Sequence, residues 1–187
     1  MKLIVGLGNP EPKYAKTRHN FGFLVMTALI EKLKDRQETK LDELNTLYTT
    51  GKTSYLKPMN SMNNSGLAVR RAFKNLKMNV LTANADVLVI HDNMDLDLGK
   101  CKMKASGNDR HNGLKSIMAE ISTQYFVRLG LGIGRMEGAV VLDYVLGTFN
   151  DQEILVVNKT IERACEVVDC FISNGANEAM KMCNTKG

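Results

Sequence analysis

Residues 87–92 read Val87-Leu88-Val89-Ile90-His91-Asp92. The apolar part is an unbroken run of β-branched residues and leucine, with no polar residue alternating into it. A strand with one wet face would alternate, so this run reads as a central strand buried on both sides, the habit of parallel sheets covered by helices. His91-Asp92 leaves its carboxyl end, the edge where open α/β sheets gather ligands.

Working outward, Leu3-Ile4-Val5 reads as a second buried strand, running into the turn Gly6-Leu7-Gly8-Asn9-Pro10. Asn20 is placed to cap a first helix, whose apolar residues Phe21, Leu24, Val25, Ala28, Leu29 and Leu33 recur at helical spacing through residue 34. Leu47-Tyr48-Thr49 and Ser54-Tyr55-Leu56 flank Gly51 as a hairpin that feeds Lys57-Pro58. Helices are expected from about Ser65 and from near Asn112, and a strand over Phe126–Ile133. A long amphipathic helix runs from Ile154 to Phe171 and stops at Asn174-Gly175. Residues 176–187 read as a loosely docked tail. Strands separated by helices give an α/β fold: a single-domain three-layer sandwich over residues 1–187, with a mixed, largely parallel central sheet flanked by helices.

Composition narrows the partners. The 187 residues are 44% hydrophobic, enough for one compact core, and the formal charge of +5 leans toward anionic partners. The four cysteines, Cys101, Cys165, Cys170 and Cys183, include no CxxC pair and have no histidine at ligand spacing. They read as free thiols in a reducing compartment rather than as a zinc site or disulfide framework. No apolar run is long enough for a membrane span, and the first residues lack a signal-peptide core, so a cytoplasmic protein is expected.

The glycines at 6 and 8 do not make a dinucleotide-binding loop, because Glu11 stands where the third glycine is needed. Gly130, Gly132 and Gly134 alternate along a strand and read as close packing in the sheet. Of the three histidines, His19, His91 and His111, His19 lies just before a helix N-terminus, where the helix dipole disfavours imidazolium and keeps the ring a proton acceptor. Asp92 is the carboxylate that would fix its tautomer. No Ser, Thr or Cys stands out as a nucleophile, which leaves water. The plain alternative is that His19 caps a helix and Asp92 ends a strand through a turn. Asn9, Asn20, Asn63, Asn64, Asn93 and Asn112 cluster at loops and helix starts; as a group they offer both donor and acceptor for an amide substrate, although each is also an ordinary turn or cap residue. Met62 is either an apolar wall of such a pocket or core. Lys100, Lys102 and Lys104 alternate, so on a strand they share one face, either a phosphate-contacting stripe or a solvated edge.

The order of these segments carries more than any one of them. Gly6-Leu7-Gly8-Asn9-Pro10, Tyr14-x-x-Thr17-Arg18-His19-Asn20, Lys57-Pro58-x-x-x-Met62-Asn63, His91-Asp92-x-x-Asp95-Leu96, His111-Asn112-Gly113-Leu114-Lys115, Gly132-Ile133-Gly134-Arg135 and Tyr144-Val145-Leu146-Gly147 follow one another within a likeness that extends from Lys2 to about residue 171. This series resembles bacterial-type peptidyl-tRNA hydrolase. The resemblance implies a monomeric enzyme that hydrolyses the ester between a peptide and the 3′-terminal ribose of tRNA, with no metal or cofactor, binding the acceptor stem and 3′ end. By position it makes His19 the base that activates water and Asp92 its partner. It makes Asn9, Tyr14, Met62, Asn63, His111 and Asn112 the substrate contacts. Lys104 becomes the phosphate contact, with Lys102 assisting and Arg128 and Arg135 as candidate replacements for a basic residue the family carries where this chain has Gly130.

The chain departs from the family pattern in places. The usual glycine-rich loop reads Ala105-Ser106-Gly107-Asn108-Asp109-Arg110-His111 here, which limits positive φ and puts the charges of Asp109 and Arg110 at the rim of the crevice. The family's TFMN reads Asn60-Ser61-Met62-Asn63, the acid after His-Asp is Asn93, and the NPG turn is Pro10-Glu11. Two other readings stay open: an RNA-binding homologue that keeps the fold without hydrolysis, and an esterase that acts on unblocked aminoacyl-tRNA.

Overall fold

The computed structural model describes residues 1–107 and 109–185. Its strands are β1 (Lys2–Gly6), β2 (Gln37–Lys40), β3 (Thr46–Thr50), β4 (Thr53–Leu56), β5 (Val87–Asn93), β6 (Cys101–Lys104) and β7 (Val127–Gly132). They form one sheet in the order β2-β3-β4-β1-β5-β7-β6. The central strands β4, β1, β5 and β7 run parallel to one another. The β2, β3 and β4 meander and the β6–β7 edge are antiparallel. The sheet is therefore mixed with a parallel centre, as the apolar runs imply.

The helices are α1 (Phe21–Glu31), α2 (Ser65–Leu76), α3 (Ala83–Asp86), α4 (Asn112–Ile121), α5 (Val141–Val145), α6 (Asp151–Asn174) and α7 (Ala176–Thr185). Strand alternation divides the core between them. Ile4, Leu88 and Ile90 face α1 and α6, where Phe21, Val25, Val168 and Phe171 meet them. Leu3, Val5, Val87 and Val89 face α2 and α4, where Ala68, Val69, Leu114 and Ile117 cover them. Every side chain from Val87 to Ile90 is fully buried, each contributing about 1.5–3 kcal/mol relative to exposure. Lys102 and Lys104 share the exposed side of β6, and Met103 between them enters the core.

α3 and α5 form where the sequence set no element, and two further elements differ from expectation. β2 forms over Gln37–Lys40, a polar segment with three exposed residues out of four, paired only with β3. Residues 176–185 are not loosely docked: α7 packs on α6 and β6, buries Ala179 and Cys183, and holds the backbone of Met103 through Asn184. Residues 186 and 187 of the expected tail lie outside the described residues, as does Asn108.

Glycine lets α1 approach the sheet. A Cβ on Gly22 would lie 2.4 Å from the carbonyl oxygen of Ile90, and one on Gly6 would lie 2.4 Å from the carbonyl oxygen of Gly22. With glycine at both positions the N-terminus of α1 sits against the ends of β1 and β5. His19 and Asp92 then fall on the same edge.

Candidate active site

Asp92 is the hub of this edge. It lies near the end of β5, 4% exposed, and its carboxylate takes two imidazoles at once. His19 Nδ1 is 2.9 Å from Oδ1 and 3.0 Å from Oδ2, and His111 Nε2 is 2.8 Å from Oδ1. His111 Nδ1 accepts the backbone N–H of Gly113 at 3.1 Å, so its proton is on Nε2 and is donated to Asp92. His19 likewise donates Nδ1–H, which leaves its Nε2 lone pair without a partner among the described residues. Burial by itself would raise the Asp92 pKa, but His111 and His19 outweigh it and hold the carboxyl well below the usual carboxylate range.

His91 stands behind this cluster, donating Nδ1–H to the carbonyl of Asp92 at 2.7 Å. Burial, aided by His111, lowers it to about 4, so it is a neutral structural histidine. Nothing in the sequence marks the contact of His91 with the Asp92 carbonyl or the bond from His111 to Asp92.

His19 is fixed from its neighbours. It sits in a 3-10 turn, Arg18–Asn20, that leads into α1. Arg18 is buried, donates Nη2–H to both oxygens of Glu153 at 3.2 and 3.0 Å, and stacks 4.5 Å over the Tyr144 ring. Glu153 belongs to the capping box that starts α6. Asn20 does not use its side chain as a helix cap. Its Oδ1 accepts the N–H of Asn9 at 2.8 Å and its Nδ2 donates to the Asn9 carbonyl at 2.9 Å, so it clamps the turn after β1.

The cluster opens into a crevice of about 810 Å³, lined in part by His19, Asp92, Lys104, Arg110, His111 and Asn112, with Val141, Leu142 and Val145 of α5 on the apolar side. Arg135 lines it too, paired with Asp95. That brings together His19, Asp92, His111, Asn112, Lys104 and Arg135 of the expected set. Lys102 shares the exposed side of β6 but does not line the crevice.

The rest of the set lies elsewhere. Arg128 is 1% exposed and cannot reach a phosphate: it pairs with Asp109 at 2.5 Å and donates to the carbonyls of Gln124, Phe126 and Gly107. Asp109 accordingly turns inward and neutralises a buried guanidinium, whereas Arg110 remains exposed. Met62 is core, 4% exposed, with its sulfur beneath the start of α4. Asn9 spends its Oδ1 on the backbone N–H of Met62, and Tyr14 lies in a 3-10 turn under the ammonium of Lys13. Asn63 is exposed on the turn before α2. None of these four lines the crevice. Lys57, after the hairpin, points away from the crevice to donate to Thr27 at 3.0 Å and borders a separate hollow.

Among the described residues, His19, Asp92 and His111 are the group whose ligand atoms, within 4.8 Å of one another, are close enough to hold a metal. Both nitrogens facing the carboxylate carry protons, so the group is a hydrogen-bonded cluster as it stands.

The sequence matches the family model for peptidyl-tRNA hydrolase over residues 3–187. The chain belongs to the peptidyl-tRNA hydrolase family. The peptidyl-tRNA hydrolase of Solidesulfovibrio magneticus is 41% identical over 195 aligned positions, covering 96% of this chain and 90% of that protein. That of Symbiobacterium thermophilum is 40% identical, covering 98% and 99%. The crystal structure of peptidyl-tRNA hydrolase from Acinetobacter baumannii superposes with a TM-score of 0.85 at 30% identity, covering 98% of this chain and 94% of that one. Membership of the peptidyl-tRNA hydrolase family and the α/β fold thus agree with the order of motifs. Among the described residues no helix is long and apolar enough to cross a membrane.

Proposed function

We propose that this protein is a peptidyl-tRNA hydrolase that cleaves the ester between the peptide and the 3′-terminal ribose, with His19 as general base. The observation that carries the mechanism is the hydrogen bond from His19 Nδ1–H to Asp92, which leaves the Nε2 lone pair for a water in the crevice. Nε2 takes the proton as the water oxygen attacks the ester carbonyl. Asp92 stabilises the imidazolium that forms, and collapse of the tetrahedral intermediate returns the proton to the departing ribose 3′ oxygen.

His111 holds Asp92 from the other side and keeps its charge directed. Asn112, exposed at the first turn of α4, donates to the developing oxyanion or the peptide carbonyl. The crevice volume is within the range of sites that enclose a nucleoside-sized group. Lys104 and Arg110 at its rim take the phosphates of the acceptor stem, Lys102 extends this stripe along β6, and Arg135 contributes when Asp95 releases it. Asn9, Tyr14, Met62 and Asn63 act as the frame of the neighbouring loops. The protein works as a monomer in the cytoplasm on tRNA left by abandoned translation.

Single-turnover hydrolysis of an N-acetyl-aminoacyl-tRNA tests this reading, with His19→Ala and unblocked aminoacyl-tRNA as controls. We expect rapid release from the blocked substrate alone and a loss of about 10²- to 10⁴-fold in the variant with binding retained. Binding without any release by the wild-type protein would make it an RNA-binding homologue instead.

A further inference from the structure

We propose that Cys101 and Cys183 are a redox pair that closes to a reversible intramolecular disulfide when the protein meets a hydroperoxide, with Cys101 attacking and Cys183 resolving. Their sulfurs are 3.3 Å apart although the residues are 82 positions apart in the chain. Cys101 opens β6 and is half-buried, whereas Cys183 lies in α7 and is 1% exposed. The two elements are held in register beside the sulfurs. Asn184 Oδ1 accepts the N–H of Met103 at 2.8 Å and its Nδ2 donates to the Met103 carbonyl at 3.0 Å, which pairs the open edge of β6 with a side chain.

The sulfurs also differ in character. The Cys183 S–H donates to the Cys101 sulfur, and Arg163, which is anchored to the carbonyl of Met182, adds positive charge nearby. Together they outweigh burial and lower Cys101 to about 7, while the same bond and burial push Cys183 up. A part-ionised, part-exposed thiol beside a protonated buried one is the arrangement of an attacking and a resolving cysteine. Cys165 and Cys170 have no such relation. They are five residues apart on α6, about 140° around the helix, so their side chains diverge.

The chemistry balances with a hydroperoxide as oxidant. The Cys101 thiolate attacks one peroxide oxygen, the O–O bond breaks, and the alkoxide or hydroxide leaves, taking a proton from solvent to become the alcohol or water, with Cys101 as a sulfenic acid. Cys183 then gives up its proton, its sulfur attacks that of Cys101, the S–S bond forms, the S–O bond breaks, and water departs. A small thiol reverses the step by exchange. The sulfurs must close by about 1.2 Å to reach bonding distance, which side-chain rotation supplies. The bond would tie α7 to the strand that carries Lys102 and Lys104, and stop Cys101 from proceeding to the irreversible sulfinic acid.

The test treats the full-length protein with hydrogen peroxide and maps its peptides by mass spectrometry. A Cys101–Cys183 cross-link, removed by dithiothreitol and retained in Cys165→Ser/Cys170→Ser, is expected. Oxidation should raise the urea midpoint, because the cross-link restricts the unfolded chain. In Cys183→Ser the cross-link disappears and dimedone traps a sulfenic acid on Cys101. At neutral pH, iodoacetamide should label Cys101 about tenfold faster than Cys165. A cross-link through Cys165 or Cys170, a dimer between chains, or direct passage of wild-type Cys101 to the sulfinic acid would overturn the proposal.

Discussion

Asp92 accepts from two imidazoles, and the consequences divide by which proton is removed. Asp92→Asn keeps the size of the side chain but loses the charge that His19 and His111 donate toward. An amide presents one acceptor in place of two, and its NH₂ would face an imidazole N–H. His19 then has reason to place its proton on Nε2, the wrong end for a base. We expect hydrolysis to fall about 10²- to 10⁴-fold with tRNA binding little changed, read from single-turnover rates and a filter-binding Kd. His91 makes a separate prediction about stability. Its pKa is lowered to about 4 in the folded protein, against 6.5 for an ordinary histidine. Between those values the unfolded chain binds a proton that the folded one refuses, so the contribution is present above about pH 6.5 and is lost as pH falls toward 4. The loss should reach about 3 kcal/mol over that window. Urea denaturation from pH 7 to 4 should show this slope in the wild-type protein and a flatter one in His91→Gln; parallel curves would mean that other groups set the acid sensitivity. The depressed carboxyl of Asp92 acts at lower pH, since its contribution is present above the ordinary Asp value of 3.8 and disappears only as pH falls through its lower folded value.

Elements bring these residues to one place, and glycine decides how closely. A methyl group on Gly22 would meet the backbone oxygen of Ile90 at 2.4 Å, and backbone of a central strand cannot step aside. Gly22→Ala should therefore lift the start of α1 from the sheet, costing about 1–3 kcal/mol by chemical denaturation and slowing hydrolysis by displacing His19 from Asp92. On β6, Lys104→Ala should weaken tRNA binding and reduce the slope of log K against log salt by about one, with the chemical step little changed. An unchanged slope would remove Lys104 from the phosphate contacts. What could be read in advance followed packing periodicity. Val87–Ile90 declares β5 because every position is apolar, and Ile154–Phe171 declares α6 through its stripe. β2 has no such mark, because Gln37–Lys40 buries almost nothing and exists through its ladder to β3. The same limit applies to the site. That His19 and Asp92 fall on one edge follows from a helix start and a strand end, but the bond from His111 to Asp92 spans 19 residues and depends on a loop path that no periodicity encodes. Arg128 looked like a phosphate ligand because a strand position gives its face only once its neighbours are known. Asp109, two residues before His111, is what lets that guanidinium stay inside.

At the scale of the molecule, α7 completes the sheet edge. β6 is the terminal strand, paired with β7 on one side, and on its open side Asn184 satisfies both backbone groups of Met103. Deleting residues 176–187 would expose the surface covered by Ala179 and Cys183, strip that pairing, and leave β6 with an unprotected edge. Lost burial and hydrogen bonding together should amount to at least about 2 kcal/mol. For a domain of this size that corresponds to a fall in Tm of roughly 4–8 °C. The effect on function should be selective. Lys104 is on the loosened strand, whereas His19 is held by α1, Arg18 and α6, and Asp92 by the central sheet. Kinetics of the truncated protein below its Tm should therefore show KM for the blocked aminoacyl-tRNA rising about tenfold with kcat within about threefold of wild type. A collapse of kcat at unchanged KM would mean instead that α7 supports the His19–Asp92 cluster, and that the sheet transmits strain from its edge to its centre.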